Sequence, residues 1–261
     1  MNKIYNSIFF NDFYEKNGGG NYTDRNRWMP FFNSVADNIV ELFNPKMVLD
    51  AGCAMGYIVE ALRDRGVEAY GFDISEYAIS HVRDDIKPYC FVHSITDKIP
   101  ETYPQKYDLV LTVEVLEHLF PEMGSIAIKN LCLYSNTVLF SSTPDDITDK
   151  THVNVRLPEY WAKEFARNGF YRVLTHPLDF LSPWAMLFSR KEDISSVIFE
   201  YEMNLRINTF LEKQEIKNKD QQIEKLNQQI SALMDEKEKI IQSKSWRITA
   251  PARKLMQLIK K

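Results

Sequence analysis

From Trp28 to Phe43 the apolar residues return every three or four positions, at Phe31, Phe32, Val35, Ile39, Leu42 and Phe43. That spacing predicts a helix. Asn44-Pro45 ends it, because a residue before proline avoids the helical region. Beyond it, short β-type runs alternate with helical stretches. Strands are predicted over Met47–Ala51, Val67–Phe72, Tyr89–His93, Tyr107–Val113 and Thr137–Phe140, with final strands over Tyr171–Leu174 and Ala185–Ser189. Helices are predicted over Tyr57–Arg65, Glu76–Arg83 and Pro158–Asn168, and Pro121–Tyr134 is expected to contain another. Repeated β-α alternation implies a mostly parallel sheet with helices on both faces, a doubly wound α/β domain.

The pattern changes near Arg190. From Ile194 to Gln242 there is no Gly or Pro, and Glu, Lys, Gln and Asn dominate. Ile223, Leu226, Ile230, Leu233 and Ile240 fit the alternating seam positions of a heptad repeat, with Lys237 as a polar interruption. This predicts a long helix forming a short coiled coil with a second copy; a helix folded back on the main domain is the other reading. The chain then divides into an N-terminal cap segment (1–27, with the Gly-rich run Asn17–Asn21), an α/β domain (28–192), a coiled-coil segment (193–243) and a basic tail (244–261). In that tail Thr249 is expected to cap a helix carrying Pro251, Leu255, Met256, Leu258 and Ile259.

Charge adds to this picture. Residues 1–199 carry a net charge of −8, residues 200–243 carry −2, and residues 244–261 carry +6. An acidic body argues against a nucleic-acid surface there. The basic tail, with Trp246 and an apolar side, suits an anionic membrane surface or a partner protein. No apolar run approaches the ~18–20 residues of a membrane span, and the N-terminus lacks a signal-peptide pattern, so a cytoplasmic location is expected, peripheral to the membrane at most. Cys53, Cys90 and Cys132 lack metal-ligand or disulfide-framework spacing and read as small buried residues.

Two turns carry candidate chemistry. The first strand runs into Asp50-Ala51-Gly52-Cys53-Ala54-Met55-Gly56, where two glycines permit a sharp bend and close approach to a ligand. It is neither a Walker loop nor a full G-x-G-x-x-G. The second strand ends at Asp73-Ile74, placing an acid about 20 residues on, where ribose hydroxyls are usually held. Read together with Ser94-Ile95 after the third strand and Tyr107–Val110 in the fourth, these segments resemble the class I S-adenosylmethionine (SAM)-dependent methyltransferases, over roughly residues 28–190. The resemblance implies a Rossmann-like fold with SAM as cofactor. It implies that Asp50, Ala51, Gly52, Cys53 and Gly56 cradle the methionine part, that Asp73 and Ile74 meet the ribose, that Ser94 and Ile95 meet the adenine, and that Thr112 belongs to the cofactor set.

After the fourth strand comes Glu114-Val115-Leu116-Glu117-His118. If the chain turns helical at Glu114, all three polar side chains share one face. Two carboxylates and an imidazole suit Mg²⁺, Mn²⁺, Fe²⁺ or Zn²⁺. His152, in the loop opened by Ser141-Ser142-Thr143-Pro144, leaves the same sheet edge and is the expected fourth ligand. Glu-x-x-Glu-His with a downstream His resembles ubiquinone-pathway O-methyltransferases and small-RNA 2′-O-methyltransferases; many metal-free relatives also carry Glu-His here. A bound cation would activate a hydroxyl of a vicinal diol or catechol, and His118 or His152 would take the proton. His81, His93 and His176 have no such company and read as ordinary histidines. The segment Ser-x-Ser-Trp-Arg-Ile-Thr-Ala-Pro-x-Arg, from Ser243 to Arg253, resembles the ends of bacterial surface-polysaccharide enzymes, which implies a sugar or glycan acceptor. The alternatives are a quinone or RNA O-methyltransferase, and a non-catalytic coiled-coil assembly protein.

Overall fold

The computed structural model describes residues 5–13 and 20–253. The chain divides into two compact units, Met1–Val197 and Ile198–Lys261. The first is a seven-stranded sheet with helices on both faces. In chain order its elements are α1 (Arg25–Phe43), β1 (Met47–Ala51), α2 (Tyr57–Arg63), β2 (Glu68–Asp73), α3 (Glu76–Ser80), β3 (Cys90–Val92), β4 (Leu109–Val113), α4 (Pro121–Tyr134), β5 (Thr137–Ser141), α5 (Pro158–Ala166), β6 (Phe170–Val173) and β7 (Met186–Arg190). The order across the sheet is β3-β2-β1-β4-β5-β7-β6. Only β7 runs antiparallel to its neighbours β5 and β6.

The two-residue period of the strands sorts their side chains between two cores. Leu109, Leu111 and Leu139 join the cluster that packs on Val35 and Ile39 of α1 and Val59 and Leu62 of α2. Val110, Val138 and Phe140 join the cluster with Leu131 of α4 and Trp161 and Phe165 of α5. Because both faces are covered, the central strands are apolar throughout: Val48, Leu49, Val110, Leu111, Val138 and Leu139 are essentially without solvent contact.

This topology creates the site. β1 pairs with β2 on one side and β4 on the other, so the strand order reverses beside β1. Connections leaving the carboxyl ends of β1 and β4 diverge there and leave a crevice. Asp73 at the end of β2 and Glu114 just beyond β4 flank it.

The second unit holds most of α6 (Ile194–Gln242) and then α7 (Lys244–Ile248). In α6 the one buried residue is Val197. Ser243 caps α7 at its start, its Oγ accepting from Trp246 N, and Thr249 is the residue that ends it. The chain is helical again over 250–253, where Thr249 O accepts from Arg253 N while the Thr249 hydroxyl donates to Ser245 O at 2.8 Å. Leu255, Met256, Leu258 and Ile259 of the expected basic helix lie outside the described residues, as do Asn17, Gly18 and Gly19. No helix among the described residues is long and apolar enough to cross a membrane.

Candidate functional site

A cavity of about 140 Å³ opens at the carboxyl ends of β1, β2 and β4. Gly52, Ala54, Asp73, Ile74, Ser94 and Ile95 are among its lining. Gly52 sits at φ 93°, and a Cβ there would come within 2.3 Å of Val115 Cγ2. Only glycine lets the chain turn this tightly against the β4 loop. Gly56, at φ 70°, starts α2, and a Cβ on it would press Cys90 Sγ at 3.2 Å. The Asp73 carboxylate is fixed by two backbone donors, Ala54 N to Oδ2 at 2.9 Å and Ser75 N to Oδ1 at 2.8 Å. Burial raises its pKa while those N–H groups pull it back.

Other expected cofactor residues do not line the cavity. Ala51 and Cys53 are buried in the core, and Gly56 sits at the start of α2. Thr112 is fully buried in β4, and its hydroxyl has no hydrogen-bond partner among the described residues. Asp50 is buried at the end of β1, where burial first, then the nearby Asp73, pushes its carboxyl up to about 7. These residues shape the turn from behind; backbone next to a cofactor need not carry side chains that touch it.

Glu114 departs most from expectation. The chain does not turn helical there: Glu114 takes a left-handed φ of 54°, and a single 3₁₀ turn follows at Leu116–His118. The three polar side chains therefore do not share a helix face. Glu114 lines the cavity, but its carboxylate accepts from Ser141 Oγ, from Trp184 Nε1 at 2.8 Å and from Thr143 N at 3.1 Å. It ties β4 to the β5 loop and to the segment before β7, and stands outside the metal-competent group. A left-handed non-glycine residue costs on the order of 1 kcal/mol, and these bonds offset it.

Glu117, His118 and His152 do come together: one ligand atom from each lies within 4.8 Å of the others. The β5 loop is anchored over them, since Val153 N and Asn154 N both donate to Glu117 O at 2.9 Å. The Glu117 side chain is fully buried, and neither carboxylate oxygen has a hydrogen-bond partner among the described residues. Burial, then the neighbouring Glu114, holds Glu117 well above the usual carboxylate range. His152 Nδ1 lies 2.8 Å from Asp146 O; a carbonyl only accepts, so Nδ1 carries the hydrogen and Nε2 the lone pair. His118 Nδ1 lies 3.0 Å from Thr151 Oγ1 and 3.3 Å from Thr151 O. That hydroxyl already donates to Asp149 Oδ1 at 2.7 Å, so His118 Nδ1 is likewise the donor. Burial, then His152, brings His118 down to about 4.

Several site residues carried no sequence signal. Tyr5, Phe9, Phe10 and Tyr22 close the cavity from the N-terminal segment. Tyr5 and Phe9 meet the His118 ring edge-on, with centroids 5.7 and 6.3 Å away, and Ser75 Oγ donates to Tyr5 O at 2.6 Å. His93 packs beside Phe72 and Phe91 and lines the cavity beyond Asp73, and its buried Nε2 has no partner among the described residues. Its place one residue past β3, in register with the end of β2, was the available signal. Asp149 Oδ2 lies 3.5 Å from His152 Nε2 and adds a further carboxylate to the cluster's edge. His81 and His176 stay on the outside.

A family model described as a methyltransferase domain matches residues 24–183. The ubiquinone biosynthesis O-methyltransferase of Photorhabdus laumondii is 33% identical over 85 residues, 31% of this chain and 35% of that protein. Its counterpart from Proteus mirabilis is 33% identical over 98 residues, 36% of this chain and 39% of that protein. The chain thus matches little more than a third of these curated relatives' length. In fold it is similar to magnesium protoporphyrin IX methyltransferase from Synechocystis, solved with bound SAH, at a TM-score of 0.53 and 20% identity over 72% of this chain and 99% of that one. A TehB-like SAM-dependent methyltransferase from Corynebacterium glutamicum aligns with a TM-score of 0.51 and 17% identity, over 66% of this chain and 97% of that one. The family match spans the glycine turn, Asp73 and the Glu117 cluster, and the chain belongs to the methyltransferase-domain family as a class I SAM-dependent methyltransferase.

Proposed function

We propose that this domain methylates a hydroxyl of a vicinal diol or catechol, with SAM as donor and a divalent cation held by Glu117, His118 and His152. The buried, unpartnered Glu117 carboxylate carries this reading. It faces two imidazoles whose hydrogens point the other way. Such a convergence of lone pairs is stable only with a proton or a cation between them. One carboxylate and two imidazoles, each imidazole backed by a carbonyl, match the donor set and outer support of Mn²⁺, Fe²⁺ or Zn²⁺ sites.

When bound, SAM supplies a methyl group on a sulfonium centre and the cation supplies a Lewis acid that lowers the pKa of the acceptor hydroxyl. The chain's own groups do the rest. Asp73, oriented by Ala54 and Ser75, accepts from the ribose hydroxyls. Gly52 lets the turn approach the cofactor. The Tyr5 and Phe9 rings cover His118 and keep water from the reacting atoms. Without the cation, His118 is the group placed to take the acceptor's proton, because burial keeps it neutral to about pH 4. Holding acceptor oxygen, methyl carbon and sulfur in line is the main positional task.

The segment Ser243–Arg253 supports a sugar hydroxyl, in a surface polysaccharide or its nucleotide-linked precursor, as the acceptor. A ring diol is the second reading, favoured by the aromatic roof and by the ubiquinone-pathway relatives. The net −8 of residues 1–199 weighs against RNA. Intact Asp73, Gly52 and Glu117 weigh against a purely structural role. The basic tail, net +6 over residues 244–261, suits an anionic membrane surface, by an attraction that added salt weakens.

Labelled SAM, offered with nucleotide sugars, glycans and dihydroxybenzoates, tests the reading. Transfer to a sugar is expected, abolished by EDTA and restored by Mn²⁺. Transfer to the catechols alone selects the second acceptor. Full transfer in a metal-free preparation rejects the cation.

A further inference from the structure

Among the described residues, nothing covers an apolar seam on the helix of the second unit. Ile216, Ile223, Leu226, Ile230, Leu233 and Ile240 are each half exposed or more, on a helix of 49 residues. The heptad register of Ile223 (a) and Leu226 (d) extends upstream without a break, through Lys219, Ile216, Glu212 and Thr209. Three seam positions therefore carry charge: Glu212, Lys219 and Lys237. Their order decides how two copies can pair.

In a parallel, in-register pair each seam residue faces itself. Glu212 would meet the partner's Glu212, Lys219 the partner's Lys219, and Lys237 the partner's Lys237. Like charges at three seam layers oppose that arrangement. In an antiparallel pair a positions face d positions. With the two-fold axis between Glu224 and Lys225, Ile223 faces the partner's Leu226, Ile216 the partner's Leu233, and Thr209 the partner's Ile240. Glu212 then faces the partner's Lys237, a pair of opposite charges made twice by symmetry. Lys219 faces the partner's Ile230. Its ammonium is already turned out of the seam, 2.6 Å from Glu215 Oε1, leaving its aliphatic stem to cover the isoleucine. The flanks do not discriminate: Glu215 faces the partner's Asp220 in the parallel pair and the partner's Glu236 in the antiparallel one.

We propose that α6 pairs antiparallel with a second copy of the chain, through a seam centred between Glu224 and Lys225. The apolar layers supply the attraction, and the Glu212–Lys237 layers fix direction and register. This inference is independent of the methyl-transfer reading.

Sedimentation of the full chain and of charge reversals tests it. The wild type is expected to be a dimer at micromolar concentration. Glu212→Lys or Lys237→Glu alone should weaken dimerisation by about tenfold or more, and the two together should restore it. A parallel dimer would show no rescue, because each reversal there only exchanges one like-charge layer for another. Circular dichroism checks that each variant keeps its helix. Disulfide trapping gives a second readout, since Cys53, Cys90 and Cys132 are buried. Mixed Thr209→Cys and Ile240→Cys chains should link to each other and not to themselves. A monomeric wild type, self-linked single-cysteine variants, or a double reversal no tighter than the single ones would overturn the proposal.

Discussion

Isoleucine and glutamate occur in both units and behave oppositely in them. In the α/β unit Ile39 and Ile128 have no solvent contact, and Glu117 is as deeply buried. In the helical unit Ile223 and Ile230 are more than half exposed, and Glu215 pairs with Lys219 in open solvent. Burial sets what each residue can do. An exposed helical ion pair contributes only ~0.3–0.5 kcal/mol, so in the proposed pairing the helix charges would bias direction and add little attraction. A buried carboxylate without a partner costs several kcal/mol, so Glu117 stores the drive for a proton or a cation. The first unit offers desolvation and so suits chemistry, whereas the second leaves apolar side chains exposed, which is the basis for the pairing proposed for α6.

The contrast is tested hardest at the buried cluster. Glu117→Ala and His152→Ala should each lower turnover by about a hundredfold or more while SAM binding persists, read by calorimetry beside steady-state kinetics. Equal loss of SAM affinity in both would instead mean that the loop has collapsed. Asp50 gives the next largest effect. Its folded pKa of about 7 lies above the unfolded value of ~3.9, so wild-type stability falls as pH rises from 4 to 7. Asp50→Asn removes that loss. Its stability advantage over the wild type should grow by on the order of 2 kcal/mol between pH 5 and pH 8, read by urea unfolding. A constant difference across that range would show that Asp50 is not buried as a neutral acid. Asp73→Ala should weaken SAM by about tenfold or more, through a lost charge-assisted hydrogen bond. Unchanged affinity in the folded variant would remove Asp73 from the cofactor site.

Much of the first unit was legible because buried parallel strands are apolar runs and their ends fall at Gly, Asp and Pro. Met47–Ala51 matches residue for residue, and the helix expected within Pro121–Tyr134 fills that span. The 49-residue α6 was equally plain, since nothing in Ile194–Gln242 breaks a helix. The site was legible where loops are short, at Gly52 and Asp73. It was misread at Glu114, because a left-handed residue held by Ser141, Thr143 and Trp184 depends on groups 27 to 70 positions away. The aromatic roof of Tyr5 and Phe9 was hidden for the same reason, and His93 because a single histidine has no periodicity. Heptad spacing revealed the seam of α6, while its direction emerges only when the charged positions are paired across it.

The Glu117 cluster is tested most directly by titrating Mn²⁺ or Zn²⁺ into chelator-stripped protein, in two buffers of different ionisation enthalpy. Glu117 sits above the usual carboxylate range, so it must give up its proton to bind. One site per chain is expected, with proton release on binding and affinity that rises with pH, and with the site lost in Glu117→Gln. Absence of binding, or binding unchanged in Glu117→Gln, would contradict the assignment of Glu117, His118 and His152 as a metal centre.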